Sequence, residues 1–161
     1  MRSYWMQMTQ TDCVLELRDR PVPEPGPGQL LVRLHAAALN LGEFLRGHGV
    51  HGEPGSWKAI GGEGAGEVVA VGGGVDGFAS GDPVMGRCAG AFAEYALMEA
   101  AEAMRVPPGL AWEEAAALPL TFLVAFDMLV QQGRLRAGEW RLVNGVSSGV
   151  GVASLQLGKA L

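Results

Sequence analysis

The chain has 161 residues, 48% of them apolar and 18% charged, with a net charge of −5 at pH 7. This is the composition of a globular protein rather than a disordered one, and the length suffices for one domain with a real core. An acidic chain with no basic cluster is poorly suited to nucleic acid, and no apolar run approaches the roughly 20 residues of a membrane span.

Residues 2–9 and 13–18 are short and β-compatible, with the turn TQTD between them. CVLELR alternates apolar and polar side chains, which predicts a half-buried strand. In RPVPEPGPGQ, the four prolines Pro21, Pro23, Pro25 and Pro27 remove amide donors and fix φ. That predicts an extended surface connector, not a sheet interior. LLVRLHAAAL (30–39) follows as a well-buried strand, NLGEFLRGHG (40–49) as a short helical turn, and GVHGEPGSWKA as loop. GGEGAGEVVAVGGGV (61–75) holds the densest run of glycine. Glycine inside a strand marks a bulge, a barrel corner or a close backbone approach. GDPVMG and AFAEYALM read as two further strands. The first hundred residues therefore predict a small, strongly bent β-barrel or folded sheet.

The pattern changes after Pro107, Pro108 and Gly109. Trp112 to Ala117 reads as a short helix with Glu113 and Glu114 at its positive end. Pro119 can open a second helix, where its missing amide costs little. That helix passes Phe126 and Leu129 and stops near Gly133. It is apolar almost all round, which predicts burial between two layers. WRLVN (140–144) reads as a strand and Gly149 to Leu161 as a helix, together the first unit of a parallel α/β sheet.

Cys13 and Cys88 are far apart and form neither a disulfide framework nor a paired zinc-ligand motif. The opening MRSYWMQMTQTD has no basic segment followed by an apolar one, so no secretory signal is read. Both features point to a reduced, cytoplasmic protein.

The turn before the last helix is VSSGVG. Against the dinucleotide pattern G-x-G-x-x-G only Gly151 matches. The physical case is stronger than the pattern. Ser147, Ser148 and Gly149 are small enough to admit a pyrophosphate to the backbone, and the following helix offers free N–H groups and a positive dipole end, Val150 lying in its first turn. Gly151 permits close helix–strand packing. The alternative is a tight βα turn with no ligand. The acidic or basic residue that reads the ribose falls about 20 positions further on, past the last residue of this sequence.

These segments, in order, resemble the N-terminal half of a medium-chain dehydrogenase/reductase of the zinc-free, quinone-oxidoreductase-like branch. VLELRDRPVPEPGPGQLLVRLHAAALN resembles the family's opening, GGEGAGEVVAVGGGVDGFASGDPVMG its glycine-rich core strand and G-D-x-V turn, and GAFAEYALM its G-x-x-A-E-Y segment. AAALPLTFLVAFDML resembles the helix bridging two domains, and LVNGVSSGVGVASLQLGKAL the cofactor turn. The resemblance implies a mostly β GroES-like barrel followed by the start of an α/β Rossmann domain, incomplete here. Residues 1–110 would be the catalytic domain, 111–138 the bridging helices and 139–161 the first βα unit. Family members continue past residue 161, so the sequence resembles a truncated member whose activity alone is doubtful.

The resemblance further implies NADPH or NADH as cofactor, a small-molecule substrate in the cleft, and a homodimer or larger assembly. In zinc-dependent relatives the ligands fall where this chain has Asn40, Gly62 and Thr121. None of these is a good zinc ligand, and the lobe of four cysteines is missing, so no zinc is expected. The expected chemistry is hydride transfer from NAD(P)H to a quinone or an α,β-unsaturated carbonyl. Asn40 would lie beside nicotinamide and substrate; otherwise it simply caps a short helix. His51, with His48 as a rival, could protonate the reduced substrate; the competing and favoured reading is an exposed loop histidine. Thr121 opens the bridging helix by the expected nicotinamide pocket. Glu63 is expected to be structural, and Glu43 similar or simply exposed. Cys88 is expected to be a small buried hydrophobe. Two other functions fit the same motifs: an enoyl reductase, and a non-catalytic GroES-like binding module.

Overall fold

The computed structural model describes residues 1–9, 12–44 and 55–161. They form two compact units, Met1–Ala117 and Leu118–Leu161.

The first unit is built from two antiparallel sheets. In the smaller, strand β1 (Arg2–Met8) lies between β2 (Cys13–Asp19) and β4 (Trp57–Ala59). The β1–β2 ladder runs unbroken from Arg2↔Asp19 to Met8↔Cys13. In the larger, the order is β7 (Tyr95–Glu99), β3 (Gln29–Ala37), β5 (Glu63–Val71), β6 (Pro83–Arg87), β8 (Met104–Arg105). The proline connector enters no strand, as expected of a segment short of amide donors.

Leu30 and Val32 from β3, Val68 from β5 and Val84 from β6 are completely buried, and they pack with Cys88, Ala96 and Met98. Each such aliphatic side chain contributes about 1.5–3 kcal/mol by leaving water. The glycines of β5 are explained by β3. A Cβ on Gly66 would overlap the Arg33 carbonyl, and one on Gly64 would lie 2.9 Å from the Ala36 carbonyl oxygen. Between Leu34 and Ala36 the β3–β5 register slips by a bulge, which bends the sheet at the place where the strands come closest. Helix α1 (Trp112–Ala116) buries Ala115 and Ala116.

Three expectations for this unit are corrected. Segment 92–94, expected to be strand, instead bonds to β1: Tyr4 N–H donates to the Phe92 carbonyl and Glu94 N–H to that of Arg2. This join ties the two sheets together. β2 is exposed along nearly its whole length. It is an edge strand whose Val14, Leu15 and Leu17 all stay exposed, so the alternation predicts pleat but not burial. Residues 57–59 are a strand, not loop, because the free edge of β1 supplies a ladder that three residues cannot announce. Arg18 of β2 then lies over the Trp57 ring at 4.0 Å.

In the second unit, helix α2 (Pro119–Phe126) continues as a widened π turn over Asp127–Gln132. Gly133 N–H donates to Met128 and Leu135 N–H to Leu129. The left-handed residue that ends the helix is Arg134 (φ 51°), not the neighbouring glycine. Expected burial of this helix is not found: Leu123, Val124, Phe126 and Met128 are all exposed. Residues 140–144 form no strand either. A strand exists only through a ladder partner, and none is present among the described residues; Trp140 is fully exposed. Helix α3 (Gly149–Ala160) closes the unit. Among the described residues no helix is long and apolar enough to cross a membrane.

Candidate functional site

In the first unit, Asn40 follows β3 directly and stands at the N-cap of a single 3-10 turn, Leu41–Glu43. Its backbone N–H donates to the Glu43 carboxylate at 3.1 Å, so the cap is supplied by Glu43 reaching back. Glu43 is therefore buried, which excludes the exposed alternative. The Asn40 side chain turns elsewhere: its Nδ2 donates to Glu63 Oε1 at 2.8 Å.

Glu63 is only 1% exposed. It opens β5, and the backbone just before it is held by the segment after β6. Gly62 accepts from the Cys88 N–H, and Gly61 from the N–H groups of Gly90 and Ala91. Gly61 has φ 100°, and a Cβ there would lie 2.5 Å from the Phe92 nitrogen, so only glycine fits. Cys88 is buried and, like the exposed Cys13, is a free thiol. Burial first, and the negative charge of Glu63 second, push the Cys88 thiol up to about 12. That is the inert buried thiol expected of it.

His35 on β3 stacks on Trp112 of α1, ring centroids 4.7 Å apart and planes 16° from parallel. No sequence signal marks this pair, since the two residues are 77 positions apart in the chain. His35 also lines an apolar groove of about 640 Å³, together with Tyr4, Leu15, Leu17, Leu39 and Phe44. Leu39 adjoins Asn40. The volume lies within the range of small-molecule sites. His51 and His48 lie outside the described residues.

In the second unit, the turn before α3 begins one residue earlier than the sequence frame suggested. Gly145 takes the left-handed conformation (φ 70°); the Asn144-Gly145 dipeptide was the available turn signal. Ser148 is the N-cap of α3. Its Oγ donates to the Gly145 carbonyl at 2.8 Å and accepts from the Gly151 N–H at 3.1 Å. The hydroxyl is thus engaged within the turn, and what Ser148 offers a ligand is a fixed loop. Ser147, Ser148 and Gly149 are exposed, and Val150 is half-buried. Gly151 is buried, and a Cβ on it would lie 2.6 Å from Val146 Cα. The close packing expected of Gly151 is present, but against the turn rather than against a strand. Thr121 of α2 sits beside this helix start: a Cβ on Gly149 would lie 2.9 Å from Thr121 Cγ2. Thr121, Gly149 and the turn are therefore brought together.

This geometry fits a nucleotide phosphate. The first N–H groups of α3 have no intrahelical acceptor, small residues expose them, and the dipole end is positive.

Residues 26–108 match the model of the alcohol dehydrogenase GroES-like domain. The chain is 39% identical over 145 residues to the spectinabilin polyketide synthase system protein NorB of Streptomyces orinoci, covering 88% of this chain and 6% of that protein. It is 38% identical over 150 residues to a quinone oxidoreductase of Pseudomonas aeruginosa, covering 92% of this chain and 46% of that protein. A mycobacterial protein solved in complex with NADPH superposes on 100% of this chain with a TM-score of 0.86, at 29% identity and over 50% of its own length. The chain thus spans less than half the length of these two curated relatives.

Proposed function

The chain belongs to the medium-chain dehydrogenase/reductase superfamily, with a GroES-like domain followed by the start of a Rossmann fold, and from that premise we propose that it serves an NAD(P)H-dependent, zinc-independent reductase of quinones or α,β-unsaturated carbonyls. One observation carries the cofactor half of this reading: the Gly145–Gly151 turn, capped by Ser148 and packed too closely at Gly151 for any side chain. Ser147, Ser148, Gly149, Val150 and Gly151 would hold the pyrophosphate, with Thr121 at the helix start beside them. NADPH is the cofactor proposed, in keeping with the mycobacterial neighbour. When bound, a reduced nicotinamide supplies hydride.

This chain's own residues then have limited tasks. Asn40 offers its amide to the ligand, held by Glu63. Zinc has no place in the proposal because the family resemblance puts Asn40, Gly62 and Thr121 at the ligand positions of zinc-dependent relatives, and none of the three supplies sulfur or imidazole. Two free cysteines suit residence in the cytoplasm.

The test is NADPH oxidation, followed by absorbance, by the native protein with a quinone acceptor and excess chelator. Undiminished turnover is expected. Activity that disappears with chelator and returns with zinc overturns the zinc-free reading. The resemblance to a polyketide synthase protein favours a second reading, an enoyl reductase. Preference for an enoyl thioester over every quinone tried would select it.

A further inference from the structure

Glu63 is the most buried charged side chain among the described residues, at 1% exposure. A carboxylate so placed is costly unless its oxygens are used. One of them takes a hydrogen from Asn40 Nδ2 at 2.8 Å. An ionised carboxylate can only accept, whereas the side-chain amide of asparagine carries a donor end and an acceptor end. The contact therefore orients the amide: Nδ2 points inward to Glu63, and carbonyl Oδ1 is turned away from it. The backbone is fixed at both ends of the pair. Asn40 N–H is held by Glu43, Ala38 N–H donates to the Glu63 carbonyl, and Gly61 and Gly62 are anchored by the segment 88–91.

We propose that Glu63 is a positioning residue, which acts through Asn40 by presenting the amide carbonyl, rather than the amine, to an N–H or O–H donor on the bound ligand. The proposal rests on the role given to Asn40 above. Replacing the carboxylate by an amide of the same shape, as in Glu63→Gln, removes the instruction, because the new side chain could donate or accept. Asn40 would then adopt either orientation, and a polar contact misplaced by an amide flip loses its partner.

Two measurements test this. The first needs no activity: side-chain amide hydrogen exchange of the 161-residue chain by ¹⁵N NMR, with Asn40 assigned by its loss in Asn40→Ala. Charge-assisted bonds are about twice as strong as neutral ones. Asn40 Nδ2 protons are therefore expected to exchange about tenfold slower than those of the exposed Gln131 and Gln156. Equal rates in the wild-type chain overturn the proposal, even if Glu63→Gln fails to fold. In a folded Glu63→Gln the protection should fall, while the Val68 backbone amide keeps its own; unchanged protection overturns it.

The second is kinetic, on the native enzyme. Glu63→Gln is expected to lower kcat by about tenfold or more. A rise in KM confined to NADPH or to the quinone identifies which ligand carries the donor. The double variant with Asn40→Ala should be no slower than Asn40→Ala alone. Additive losses overturn action through Asn40. A wild-type protein that oxidises no NADPH overturns the reductase reading instead, and leaves the exchange measurement to decide on Glu63.

Discussion

Gly151 shows how little room the turn before α3 leaves. A methyl group there would press on the Val146 backbone, which no side-chain rotation relieves. Gly151→Ala is expected to destabilise the second unit by about 1–3 kcal/mol, the usual range for overpacking, measured by urea unfolding. An unchanged midpoint would contradict the packing described. Cys88 makes the opposite kind of prediction. Its thiol is buried and raised to about 12, so thiolate is scarce at neutral pH. In the native chain at pH 8 a thiol reagent should modify Cys13 alone; two modified thiols would be expected only in denaturant. The linkage has a definite sign. A folded pKa above the ordinary thiol value of about 8.5 stabilises the fold below that value. The contribution is lost as pH rises from about 8.5 towards 12, so unfolding midpoints should fall across that window more in wild type than in Cys88→Ala.

At the scale of elements, the end of α2 is the least comfortable place in the second unit. Arg134 occupies a left-handed conformation that costs a side-chain-bearing residue roughly 1–2 kcal/mol. Arg134→Gly removes that cost and adds backbone freedom to the unfolded chain. A net gain of up to about 1 kcal/mol is expected by thermal denaturation; a loss would mean that the arginine side chain holds the turn. Gly133 is no substitute site. A Cβ there would lie 2.7 Å from the Met128 carbonyl oxygen, because the π turn draws the chain back on itself. The glycine near the helix end was legible in the sequence, but its task was not: it permits contact, while its neighbour takes the unusual dihedral.

For the whole molecule, the unpaired apolar surface is the dominant feature. In the second unit Leu123, Val124, Phe126 and Met128 are exposed, and Trp140 and Leu142 stand almost entirely in water. Surface of this kind associates. Sedimentation of the chain at micromolar concentration is expected to show dimers or larger species, with little response to salt because the contact is apolar. A stable monomer would contradict that expectation. The ion pairs, by contrast, matter little to stability. Arg2–Glu94, Arg33–Glu67 and Arg105–Asp82 all lie at the surface, where such pairs contribute about 0–1 kcal/mol.

The local backbone chemistry was decided by the sequence alone. Proline excluded 20–28 from the sheets, glycine marked where β5 is crowded by β3, and Ser148 with a glycine-rich turn opened α3. Each of these acts over a few bonds, through a missing amide, a missing Cβ or a hydroxyl within reach of the next turn. Whatever depends on a distant partner came only with the tertiary structure. The strand at 57–59 needed the edge of β1, residues 140–144 lacked an edge to join, and β2 kept its alternation without gaining cover. The pairing of Asn40 with Glu63, and the stacking of His35 on Trp112, belong to the same class. Hydrogen bonds and ring contacts act over a few ångströms in space, and the sequence records only separation along the chain.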